Sequence, residues 1–153
     1  MSQLNYDAEM EIAFEGMLAD SGRHDALSKT IEGAGVAFGL GCTYGSEAGT
    51  IKALSAITDK FAGCVIHKHV EEGIIGDKDT VAVMRKGRMY VKVEEAVAEG
   101  DPVYVRAVAE GAERAGAFRK SADGTDTIQL SGAEFRSSAA ADGLAIIDFN
   151  LPV

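Results

Sequence analysis

Residues Thr80 to Val93 read TVAVMRKGRMYVKV, and their alternation of apolar and polar side chains on either side of a Lys-Gly pair is the strongest structural signal in the chain. Val81 and Val83 precede Lys86 and Gly87, while Met89, Val91 and Val93 follow. This spacing predicts a β-hairpin that turns at Lys86 and Gly87 and sets the two valine runs opposite each other. Downstream, Glu94 to Glu99 suits a helical turn stopped by Gly100, and Pro102 restarts an extended run through Tyr104 to Val108. Beyond a small-residue loop come Ala117 to Lys120, a polar ADGTDT turn, TIQL, a Ser-Gly break, AEFRSSA, an ADG turn and LAIIDFN (Leu144 to Asn150).

Upstream of the hairpin, a β-branched run from Cys64 to Val70 follows Gly63 and reads as a strand. TYGSEAGT (Thr43 to Thr50) reads as a loop, and Gly35 to Cys42 as a strand whose glycines at 39 and 41 mark a bulge or another backbone close by. Asp25 to Ile31 fits a helical turn or a short strand. The alternation of Leu27, Lys29 and Ile31 with Ala26, Ser28 and Thr30 favours the strand. Large apolar groups at Met10, Ile12 and Phe14 fall on every second residue, so residues 1–16 read as an extended arm with one apolar face. Short strands punctuated by turn signals, with no long helical period and no internal repeat, describe an all-β protein. The expected architecture is a jelly-roll-like sandwich or small barrel, residues 17–153, with an N-terminal arm, residues 1–16.

The 153 residues, 46% of them hydrophobic and 25% charged, supply one domain with enough apolar side chain for a core. Eighteen glycines against two prolines suit many tight turns. Lysine and arginine number 15 and aspartate and glutamate 24, for a formal charge of −9. That balance opposes binding to a phosphate backbone or an anionic membrane. The opening MSQLNYDAEMEIAFEG has no basic start followed by an apolar block, and no apolar stretch is long enough to span a bilayer, so synthesis in the cytoplasm is expected. Two cysteines, Cys42 and Cys64, do not make a disulfide framework and read as buried thiols.

Side chains for chemistry are sparse. His67 and His69 stand two apart on an expected strand, which would put both imidazoles on one face. A metal site needs a third ligand, and His24 is the only other histidine. A solvated strand face is the simpler account, and no metal or other cofactor is expected. No nucleophile signature surrounds either cysteine. The acid-rich turns GDKDT and DGTDT lack calcium-loop spacing, and the glycine clusters match no phosphate-binding motif. MRKGR, Met84 to Arg88, gathers three cations that suit an acidic partner or simply a solvated turn. The reading is therefore of a non-enzymatic β module whose surface is its function.

Four segments carry a wider resemblance: FEGMLADSG (Phe14 to Gly22), EGAGVAFGLG (Glu32 to Gly41), DTVAVMRKGRMYVKVEEAVAEGDPVYVR (Asp79 to Arg106) and GAEFRSSAAADGLAIIDFN (Gly132 to Asn150). In this order and spacing the chain resembles the structural cement, or capsid decoration, proteins of tailed bacteriophages. Relatives often carry tryptophan where this chain has Tyr90, and Thr43 to Lys78 is less recognisable. The resemblance implies a virion protein on the outer surface of the icosahedral head, with the major capsid protein and further copies of itself, as homodimer or homotrimer, for partners. It would fasten neighbouring capsid subunits against the pressure of packaged DNA. From the apolar pattern alone, Leu4, Tyr6, Ile12, Phe14 and Met17 are the expected arm anchors. The alternatives are a small β-barrel metal-dependent enzyme or ligand-binding protein using His67 and His69, or another virion component such as a head-fibre or tail module.

Overall fold

The computed structural model describes residues 13–20, 22, 24–33, 35–68 and 75–151. Among these there are nine strands and no helix: β1 Asp25–Ile31, β2 Gly41–Tyr44, β3 Thr50–Ala53, β4 Phe61–Val65, β5 Thr80–Lys92, β6 Pro102–Arg106, β7 Phe118–Arg119, β8 Thr127–Phe135 and β9 Leu144–Asn150. They are hydrogen-bonded in the order β1-β3-β2-β4-β5-β9-β8-β6-β7, and β1 also pairs with β5. The last pairing closes the first five into a barrel, so the all-β small-barrel expectation holds. The remaining strands curl into a second lobe. Val93, just past β5, bridges Phe118 of β7, and Glu94 gives its N–H to the Phe118 carbonyl at 3.0 Å.

The hairpin expected at Lys86 and Gly87 does not form. Thr80–Lys92 is one thirteen-residue strand shared by both lobes. Its first half lies antiparallel to β1, with Val83 opposite Leu27 and Val81 opposite Lys29; its second half pairs with β9, with Met89 opposite Ile147 and Val91 opposite Ala145. The pairing passes from Asp25–Lys86 to Ala26–Met84, leaving Arg85 as the extra residue of a bulge. Gly87 has φ +125° and continues the strand instead of reversing it. A Cβ there would stand 2.8 Å from the His24 Cβ, so only glycine fits. The irregularity also changes which side of the strand faces which core. Val81 and Val83 pack with Ile31, Ile51 and Val65, whereas Met84, Met89 and Val91 pack with Phe118, Phe135 and Phe149.

Smaller departures have local causes. The strand expected from Cys64 to Val70 is instead Phe61–Val65. Beyond it Ile66 bonds the Ala82 carbonyl and His67 the Gly16 carbonyl, so the chain leaves its ladder with β2 to meet residues near the N-terminus. Of Gly35 to Cys42 only Gly41 and Cys42 are strand, because Gly39 (φ +77°) abuts Gly16, to whose N a Cβ would come within 2.7 Å. The supposed loop Thr43 to Thr50 contains the end of β2 and the start of β3. Glu94 to Glu99 is irregular, with Val97 bridging Ala139, and β8 runs unbroken through Ser131 and Gly132.

Candidate docking surface

Of the five expected arm anchors, Leu4, Tyr6 and Ile12 lie outside the described residues. Phe14 is 44% exposed, and Met17 is half-buried. The backbone around them is tied to the second half of β5: Gly16 donates to the Tyr90 carbonyl (2.8 Å), Tyr90 to that of Met17 (2.9 Å) and Ala19 to that of Arg88 (3.0 Å). Leu18 bridges Met89 antiparallel. Glu15 pairs with Arg114 at 2.5 Å. The Phe14 ring rests 4.7 Å from the His67 ring, whose other neighbour is Phe38 at 4.9 Å. Beside Phe14 a cleft is lined by Tyr90, Lys92, Asp142 and Leu144.

His67 is thus an aromatic-stacked side chain just past the end of β4, not a residue on a strand face; His69 lies outside the described residues. Among the described residues no three His, Cys, Asp or Glu side chains are grouped to hold a metal ion. Both thiols are free and buried. Burial pushes Cys42 up to about 12 and Cys64 upward as well, so neither is a thiolate near neutral pH.

A groove is lined by residues of both lobes. One wall carries Leu27, Tyr44 and Phe61 and the other Ile128 and Leu130 of β8. Leu27 and Tyr44 are 45% and 39% exposed. Tyr44 is held upright by Arg85, which donates to its hydroxyl at 2.9 Å, and Lys60 lies 5.9 Å from its ring centroid. The β8 wall is a strand edge. Arg106 exchanges backbone hydrogen bonds with Ala117 and Gly116, so Tyr104 and Arg106 turn toward β7 while Val103 and Val105 turn toward β8. Val103–Leu130 and Val105–Ile128 are therefore the hydrogen-bonded pairs, and the backbone groups of Thr127 and Gln129 point the other way. On that side the ladder with β9 covers only Ala133 to Phe135. Sequence reading missed this feature because Tyr44 lay in a presumed loop and the edge depends on where β9 stops.

A buried ion network braces the second lobe. Arg106, with a side chain 1% exposed, is clasped by both oxygens of Glu94 (2.7 and 3.0 Å) and by Asp123 (2.6 Å). Arg119 bridges Glu94, Glu95 and Asp123. The Glu94 and Asp123 carboxylates hold the Arg106 guanidinium above its ordinary value despite burial. Its Nη1 has no hydrogen-bond partner among the described residues. The network joins the end of β5, β6, β7 and the turn before β8, stiffening the closure of the lobe.

A family described as structural cement protein (E217 gp24/Pam3 gp6) matches residues 2–150. A chain from the capsid of Myoviridae Phage XM1 shares the fold with a TM-score of 0.74 at 20% identity, over 97% of this chain and 98% of that one. The head fiber gp8.5 N base of bacteriophage phi29 matches 84% of this chain and 95% of its own at 14% identity, with a TM-score of 0.49, too slight a likeness to bear on the argument. No curated protein sequence matches significantly.

Proposed function

The chain belongs to the phage structural cement protein family, and from that premise we propose that it sits on the outer surface of the icosahedral head and fastens neighbouring major capsid subunits. It is a virion protein with a capsid cement role. The observation that carries this reading is the family match across residues 2–150, which spans the arm and both lobes. The architecture suits the task. Two lobes sharing one long strand and braced by the Arg106 network make a stiff block, and stiffness lets force pass between capsid subunits. The net charge of −9 gives such a block no tendency to bind the genome. The acting parts are surfaces, with no catalysis and no cofactor required. Copies made in the host cytoplasm would join the head as homodimers or homotrimers, and several modest contacts per oligomer raise the effective affinity because later ones are intramolecular. Leu4, Tyr6, Ile12, Phe14 and Met17 are proposed to anchor the arm.

The test is to mix purified protein with emptied, undecorated shells, sediment them and count copies bound per major capsid subunit. Saturation at a fixed simple ratio is expected. Absence of binding would overturn the reading.

A further inference from the structure

We propose that the groove lined by both lobes receives the N-terminal arm of a second copy of this chain, which adds as a strand to the edge of β8. The edge supplies backbone partners: Thr127 and Gln129 turn their N–H and C=O groups away from β6, and on that side no described strand pairs with them. Its walls supply apolar contact, with Leu27 and Tyr44 exposed over Phe61 and Ile128. Its rim supplies charge. In a chain of formal charge −9, Lys60 and Lys86 line this groove, and Asp25 is the one acidic side chain among its described lining residues.

The arm has the matching chemistry. Residues 1–12, MSQLNYDAEMEI, contain three acids and no lysine or arginine. As a strand it sets Leu4, Tyr6, Met10 and Ile12 on one face and Asp7, Glu9 and Glu11 on the other. The apolar face fits the groove walls, and the acidic face meets the cationic rim. Fully extended, these twelve residues reach ~40 Å, enough to cross to a neighbour.

The direction of exit selects a second copy over the chain's own groove. Gly16 to Ala19 run antiparallel to Arg88 to Tyr90, so traced toward the N-terminus the chain moves along β5 away from Lys86 and toward Lys92. Lys86 marks the groove, while Phe14 already lines the cleft with Lys92. Where the described chain begins, at Ala13 and Phe14, it is therefore heading away from its own groove. Reciprocal exchange makes a closed dimer, and cyclic exchange a closed trimer.

The inference needs no capsid, and its test contains none. One preparation of the full chain carries Tyr6→Cys or Met10→Cys, and another carries Gln129→Cys. Gln129 is exposed, so its replacement leaves the core intact, and the native thiols are buried and unreactive. Mixing the two under mild oxidation is expected to give a disulfide-linked pair of chains. Introducing Leu27→Glu into the Gln129→Cys chain should lower the yield by about tenfold or more, because a charge then faces the arm's apolar side. Sedimentation equilibrium of the unmodified full chain should show an oligomer that Leu27→Glu dissociates. The proposal is overturned by cross-links that form only within a doubly substituted chain, which would put the arm in its own groove. It is equally overturned by a monomeric full chain with no cross-link, or by an oligomer indifferent to Leu27→Glu. Failure of shell binding with the cross-link intact would count against the capsid role alone.

Discussion

Ile146 and Ile147 are neighbours in LAIIDFN, and only Ile147 is fully buried, facing Met89 across the β5–β9 ladder. Val81, Val83, Val91, Val93 and Phe149 are buried like Ile147, whereas Ile146 is half-exposed on the other face. An alternating pattern fixes the inward set only once its phase is known, and a doubled isoleucine hides the phase. Ile147→Ala should cost about 2–5 kcal/mol, read from the urea midpoint, because the cavity sits among Met89, Phe135 and Phe149. Ile146→Ala should cost about 1 kcal/mol or less. Equal losses would show that the phase is wrong. The anchors are a different case. Phe14 is expected from the sequence as an apolar arm anchor, and its stacking on His67 depends on Phe38 and on the segment after β4, which lie far away in sequence.

At the scale of elements, β1 and β9 are legible as short segments bounded by turn residues, while β5 departs from its expected hairpin. Lys-Gly between two valine runs is the ordinary signal of a tight turn, yet each run here finds a different partner, β1 for one and β9 for the other. A hairpin would pair the runs with each other and leave both partners without a ladder. A substitution separates the two arrangements. A type I′ hairpin accepts asparagine at a glycine turn position, whereas here Gly87→Asn must hold φ +125° and press a Cβ toward His24. The expected loss is about 2 kcal/mol or more, seen as a lowered melting temperature. An unchanged melting temperature would restore the hairpin.

For the whole molecule, the two lobes share β5 and should unfold as one unit, in a single transition by fluorescence and by circular dichroism. The pH dependence of that transition follows from the shifted carboxyl groups. Four are held below their ordinary values: Glu32 by the Ser46 hydroxyl and N–H, Asp59 by the Ser55 N–H, Asp123 by Arg106, and Glu95, where burial is outweighed by the Ser121 hydroxyl and Arg119. A lowered folded-state value means that the unfolded chain binds protons first, so these groups stabilise the fold above the ordinary range and lose that contribution as pH falls through and below it. Glu113 is shifted upward, by burial and then by the charge of Glu94; its contribution is full below the ordinary value of 4.5 and is lost as pH rises through its folded value. Four against one, the melting temperature should drop below about pH 4 and change little toward neutrality. A melting temperature that rises on acidification would contradict this balance.

Composition and alternation by themselves determined that the chain is an acidic all-β module, and the order of four segments pointed to the phage cement proteins. These properties are local or additive along the chain, so they survive without coordinates. Tertiary structure decided that Thr80–Lys92 is one strand common to two lobes, that Arg106 is clasped by Glu94 and Asp123, and that among the described residues the first half of β8 is unpaired on the side that shares a groove with Leu27 and Tyr44. Each depends on which distant strand supplies the missing hydrogen bonds or charge. An isolated strand satisfies the same pattern with many partners, and only closure of the barrel selects among them.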